Sequence, residues 1–143
     1  MSELVRYHAE HAIATLTLDS PRNRNAMSAQ LAGDLRAHFR AAAADEHVRA
    51  VVLTHSGRTF CSGADLKEQA SEGGPAEGTQ RMLDLLRAII EMPKPVIARV
   101  DGHVRAGGLG LVGACDIAVA GPSASFAFTE VRLALAPAII SLT

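Results

Sequence analysis

Short continuous apolar runs alternate along this chain with stretches whose apolar residues recur at i, i+4 and i+8, a pattern that predicts strands alternating with helices. Residues 12–18 (A-I-A-T-L-T-L) are aliphatic and β-branched and stop at the turn cluster Asp19-Ser20-Pro21. Ser28 can cap a helix whose apolar side carries Leu31, Leu35 and Phe39, followed by an alanine run at 41–44. Residues 48–54 (V-R-A-V-V-L-T) read as a buried strand. A second helix is expected near 79–91, with Met82, Leu85, Leu86, Ile89 and Ile90 on one side and Pro93 and Pro95 ending it. Val96–Val100 is a further strand, glycines open a brief helix near 107–115, and Ile117–Ala120 is strand again. The acidic, glycine-rich residues 68–78 are expected to form a mobile loop. No internal repeat and no domain boundary is visible. The alternation predicts an α/β fold with parallel strands.

At 143 residues and 15.0 kDa the chain is the size of one domain. Its 14 Lys and Arg against 15 Asp and Glu leave a net charge of −1, so there is no basic field for nucleic acid or anionic lipid. A hydrophobic content of 48% supports a packed core, and an aromatic content of 3% makes that core aliphatic and argues against sites built on stacking. Two cysteines make no disulfide framework and point to a reducing compartment. Residues 1–6 lack an apolar signal core, and no run approaches the ~20 apolar residues of a membrane helix. A soluble, cytoplasmic protein is expected. The apolar segment at 136–140 ordinarily leads into further structure, so the chain is expected to be cut short after Thr143.

Gly108, Gly110 and Gly113 match the dinucleotide fingerprint G-x-G-x-x-G, with Glu130 downstream. Residues 101–107 separate the strand from the first glycine, however, whereas the fingerprint needs its glycines in the turn straight off the strand. The six histidines are scattered, and even His8 and His11 have no partner ligand at metal spacing. Cys61 and Cys115 have no neighbouring histidine, which leaves a thiol nucleophile unsupported. Two other stretches hold more promise. R-T-F-C-S-G-A-D-L-K (58–67) places small residues where a ligand can approach the backbone, and D-G-H-V-R-A-G-G (101–108) opens a helix whose first amides are unpaired. Two such amides converging on one point would form an oxyanion hole; alternatively, both glycine turns simply connect strands to helices.

F-C-S-G-A-D-L-K, P-K-P-V-I-A-R-V-D-G-H-V-R-A-G-G-L-G-L, A-C-D-I-A-V-A and S-F-A-F-T-E-V-R-L together resemble the crotonase (enoyl-CoA hydratase/isomerase) family, as does the early L-D-S-P-R-N-R-N-A-M-S. The resemblance spans nearly the whole chain, in order. It implies a crotonase-like ββα spiral with parallel sheet strands, incomplete at the C-terminus, residues 1–143 forming one acyl-CoA-binding catalytic core. It implies that the backbone amides of Ala64 and Gly107 make the oxyanion hole, that Ser62, Asp65, Leu66 and Lys67 line the CoA channel, and that Arg24 meets the CoA phosphates. Of the two glutamates that flank the substrate's double bond in the family's hydratases, the second falls on Glu130 and the first on Gly110, which has no side chain; Ala106 replaces the first glycine of the usual triple.

The implied activity is that of an enoyl-CoA hydratase-type lyase, adding water to an α,β-unsaturated acyl-CoA thioester through a stabilised enolate. The alternatives are an enoyl-CoA isomerase, which can run on one carboxylate, and a truncated acyl-CoA-binding remnant. CoA is part of the substrate, so no separate cofactor or metal is implied. The resemblance also implies a homotrimer or dimer of trimers when full length, with no nucleic-acid or membrane partner.

Overall fold

The computed structural model describes residues 3–71 and 74–140. Met1, Ser2, the residues at 72–73 within the expected loop, and the C-terminal Ser141, Leu142 and Thr143 lie outside the described residues.

A hairpin opens the chain: β1 (Val5–Glu10) and β2 (Ile13–Leu18) pair antiparallel across a two-residue loop, His11 and Ala12, both with positive φ. Such a loop matches the right-handed twist of the strands it joins. After a 3₁₀ turn at Pro21–Asn23, α1 (Ala29–Ala44) starts on Ser28, whose hydroxyl accepts from the Leu31 N–H at 3.2 Å. Leu31, Leu35 and Phe39 form its buried stripe, as the spacing predicts. Then come β3 (Ala50–His55), β4 (Thr59–Cys61), α2 (Leu66–Ser71), α3 (Gly74–Ile90), β5 (Val96–Val100), β6 (His103–Arg105), α4 (Gly107–Ala114), β7 (Ile117–Ala120), β8 (Ser125–Ala127) and a 3₁₀ turn at Glu130–Leu133.

The strands form two sheets. The larger has the order β1-β2-β3-β5-β7, all parallel after the first hairpin, and the smaller is the parallel β4-β6-β8. From β3 onward the chain therefore repeats one unit: a strand to the large sheet, a strand to the small one, then helix. This is a ββα spiral. The repeat lies in the topology and not in the sequence, because β4, β6 and β8 have only three residues each. Three residues are too few to display a period, and no strand was expected within 58–67 or 101–108 for that reason.

The expected loop at 68–78 is corrected over its described residues, which belong to α2 up to Ser71 and to the start of α3 from Gly74. Asp65 caps α2, its Oδ1 accepting from the Lys67 and Glu68 amides at 3.1 and 3.3 Å, and the Pro at 75 falls in the first turn of α3, where proline is tolerated. On α3, Met82, Leu85, Leu86 and Ile89 are buried, whereas Ile90, expected beside them, is 59% exposed.

The core lies between the large sheet and these helices, with Leu16, Leu18, Val51, Leu53, Val96 and Ala98 from the strands against Leu31, Leu35, Phe39, Leu85 and Ile89. Truncating one of these leucines to alanine is expected to cost about 2–5 kcal/mol. That rigid body holds the loops at the ends of β4 and β6 in place.

Candidate active site

The chain leaves β4 through Ser62 and Gly63, whose φ of +94° a residue with a Cβ rarely adopts. Beyond it Ala64 pairs with Met27 in a parallel bridge: the Met27 N–H donates to the Gly63 carbonyl at 2.8 Å and the Asp65 N–H to the Met27 carbonyl at 3.3 Å. In that arrangement the flanking residues make the bonds, so the Ala64 N–H points to the opposite side.

The second loop leaves β6 at Arg105. The Ala106 N–H donates to the Ala127 carbonyl at 3.2 Å, and α4 begins at Gly107. The Gly107 amide is the first of that helix and has no acceptor inside it. The two loops touch: a Cβ built on Gly63 would lie 2.8 Å from the Cβ of Ala106 and 3.4 Å from the Gly107 nitrogen. Among the described residues neither the Ala64 nor the Gly107 amide donates to a protein acceptor.

Both loops border a cavity of about 400 Å³, and so does Glu130. Glu130 is the first residue of the 3₁₀ turn after β8, rather than a surface side chain at a strand end, and its carbonyl accepts the Leu135 N–H at 3.1 Å. Its Oε2 is buried with no hydrogen-bond partner. A buried carboxylate oxygen without a donor is costly and uncommon, and calls for a partner that binds there. Much of the remaining wall is hydrocarbon, from Met27, Leu66, Met82, Leu133 and Ile139.

A second cleft, of about 590 Å³, adjoins the cavity and shares Ser62, Ala64, Leu66 and Thr129 with it. Arg22, Arg24, Lys67, Arg105 and Arg132 line it against one acid, Asp65. Arg24 sits at φ +59°, next to the buried Asn25, whose Nδ2 donates to the carbonyls of Thr59 (2.7 Å) and Ser56 (3.2 Å) while its Oδ1 accepts from the Ser20 N–H at 2.7 Å. That tie fixes the 3₁₀ turn against β4. Arg105 donates to the carbonyls of Val104 and Ser125 at 2.8 and 2.7 Å and to the Ser125 hydroxyl at 3.0 Å, which holds its guanidinium in place. Arg22, Arg105, Arg132 and Asn25 were not singled out by sequence reasoning; two arginines beside the 21–27 turn were the available signal, while Arg132 reaches the cleft only through the fold.

Every expected channel residue, Arg24, Ser62, Asp65, Leu66 and Lys67, lines the cleft, although the Asp65 carboxylate is also engaged in capping α2. Gly110 lies buried on α4, and a Cβ there would come within 2.7 Å of the Cγ2 of Ile140. Burial pushes the Cys61 thiol up to about 11 and that of Cys115 to about 12, the latter with help from Asp116, so neither is a thiolate near neutral pH. Among the described residues no group of three or more His, Cys, Asp or Glu side chains converges to hold a metal, and no helix is long and apolar enough to cross a membrane.

This ββα spiral, with Ala64, Gly107 and Glu130 lining one cavity, has counterparts among known proteins. The family model described as "Enoyl-CoA hydratase/isomerase" matches residues 8–143. An enoyl-CoA hydratase of Alternaria alternata is 41% identical over 129 residues, which is 88% of this chain and 42% of that one. The solved enoyl-CoA hydratase of Mycobacterium avium superposes with a TM-score of 0.89 at 54% identity, covering 100% of this chain and 57% of that one. That of Mycobacterium smegmatis gives 0.92 at 38%, covering 99% and 56%. The chain belongs to the enoyl-CoA hydratase/isomerase family and has the crotonase fold. It spans about half the length of the curated relatives it matches.

Proposed function

We propose that this chain supplies the catalytic core of an enoyl-CoA hydratase-type enzyme. The observation that carries this reading is that Glu130, whose Oε2 is buried with no hydrogen-bond partner, lines the same cavity as Ala64 and Gly107, whose amides donate to no acceptor among the described residues. The thioester carbonyl accepts from the amides of Ala64 and Gly107. As water adds, its oxygen bonds to carbon 3 and electrons move onto the thioester oxygen, where the amides stabilise the growing charge; losing one such donor typically costs about 10²–10³ in rate. Glu130 takes a proton from the attacking water and returns one to carbon 2, so that the product has gained the atoms of one water. The cationic cleft takes the CoA phosphates: Arg24 and Lys67, with Arg22, Arg105 and Arg132 beside them, offer charge-assisted contacts to that end of the substrate.

A second reading is double-bond isomerisation. It is favoured by Gly110 and by the apolar Ile140 seated on it, which put no carboxyl at that position to orient a water. Isomerisation needs only that Glu130 remove a proton from carbon 2 of a 3-enoyl thioester and return one to carbon 4. Assembly into trimers and a place in the cytoplasm belong to the same proposal. Steady-state assays with matched 2-enoyl- and 3-enoyl-CoA thioesters separate the readings. Hydration of the 2-enoyl series exceeding isomerisation of the 3-enoyl series supports the first, the reverse order supports the second, and binding without either reaction overturns both.

A further inference from the structure

Gly110 on α4 and Ile140, distant in sequence, meet beside Leu86 of α3. A Cβ on Gly110 would lie 2.7 Å from Cγ2 of Ile140, 3.2 Å from its Cβ and 3.4 Å from Cδ2 of Leu86. These Ile140 atoms sit at the branch next to the backbone, on a residue stiff about χ1, so they cannot swing aside as the end of a long side chain would. The Ile140 main chain closes a turn, its N–H donating to the Pro137 carbonyl at 3.3 Å. Ile140 is 9% exposed and lines the cavity that holds Glu130; Gly110 is buried behind it and does not reach the cavity.

We infer that Ile140 is a specificity-determining residue, seated on Gly110 and limiting the bulk of the acyl group held beside Glu130. The inference rests on the acyl-CoA reading above and adds the substrate class and the residue that sets its size. The two positions are coupled through space. Any side chain at 110 must push Ile140 toward the cavity, and any shortening at 140 opens the cavity onto the empty surface of Gly110. The wall around Ile140 selects an uncharged aliphatic acyl group: Met27, Met82, Leu133 and Ile139 present hydrocarbon, and Arg81 is paired with Glu68 at 3.4 Å and Glu77 at 3.6 Å.

The test uses the 143-residue chain with Gly110→Ala, Ile140→Ala and the double variant, read by thermal unfolding and by calorimetric titration with saturated butanoyl-CoA and octanoyl-CoA. One methylene in an apolar pocket is worth roughly a tenfold or greater discrimination. Ile140→Ala should therefore raise the octanoyl-to-butanoyl affinity ratio about tenfold, and Gly110→Ala should lower it. Gly110→Ala should also lower Tm, and this loss should shrink when Ile140→Ala is present. An unchanged ratio in Ile140→Ala overturns the specificity role, and strictly additive Tm changes overturn the steric pair. Should Gly110→Ala fold too poorly to titrate, the ratio in Ile140→Ala against the parent still decides. A parent that binds neither thioester contradicts the acyl-CoA reading itself, and with it the specificity role. A parent that binds both with a ratio unmoved by Ile140→Ala contradicts only the inference.

Discussion

At Ala106 the backbone stands at φ +47°, ψ −126°, a region that glycine enters freely and an L side chain enters under strain. The strain sits one residue before the Gly107 amide and is held there by the hydrogen bond to Ala127 and by the Ala106 Cβ packed against Gly63. Strain of this type amounts to about 1–3 kcal/mol, while glycine's greater freedom in the unfolded chain returns about 0.4–1 kcal/mol. Ala106→Gly should therefore stabilise the fold by about 1 kcal/mol in denaturant titrations, opposite in sign to an ordinary Ala→Gly change; a loss of stability would show that the loop is relaxed. This position was legible from the sequence as a departure from a glycine triple. The small residues of 61–64 and the glycines at 107–108 were legible as places where a ligand can approach the backbone, whereas Ala64 and Gly107 were singled out only by the family resemblance. The Gly110–Ile140 contact was not legible, since nothing local in either segment signals the other.

The element scale separates what periodicity can carry from what it cannot. β5 and β7 match the expected ranges, and α1 starts on the expected cap, because a strand with four apolar residues or a four-turn stripe leaves a readable pattern. The three-residue strands of the small sheet do not, and their pairing is fixed by contacts distant in sequence. His55, at the end of β3, shows what those contacts do: its Nε2 accepts the Asp101 N–H at 3.1 Å, its ring stacks edgewise on Phe60, and its buried Nδ1 has no hydrogen-bond partner. Burial is the main cause that holds its pKa below 6.5, against the upward pull of the Ser56 and Gly57 backbone and of Asp101. A histidine whose pKa is lowered by folding is protonated first in the unfolded chain. Stability should thus be insensitive to this group above about pH 6.5 and fall as pH drops from there toward the lowered folded value. His55→Gln should flatten that part of the profile in urea titrations at pH 7.5 and 5.5. An equal loss in parent and variant would assign the acid sensitivity to other groups.

For the whole molecule, charge and exposure divide the surface. Net charge is near zero, yet five cations gather on one cleft, so the sum read from the sequence concealed the distribution that matters for binding. Arg24→Ala should weaken acyl-CoA binding about tenfold at low salt, the scale of one charge-assisted contact, and by less as salt rises. Equal affinity in parent and variant at low salt would place the phosphates elsewhere. The last third of the chain exposes Ile117, Val119, Phe126, Phe128, Val131, Leu133 and Leu135, each at 48% or more, on a chain that spans about half of its relatives. The central claim, that two amides and one carboxyl stabilise and protonate a thioester enolate, needs no cover on that face to be tested. Proton exchange at carbon 2 of saturated butanoyl-CoA in D₂O, followed by NMR, reads the enolate directly and is common to hydration and isomerisation. The parent should exchange that proton, and Glu130→Gln should slow the exchange by about 10²–10⁴ while calorimetric affinity for the thioester stays within a few-fold. Exchange at the parent rate in Glu130→Gln, or none in a parent that binds the thioester, would contradict the account.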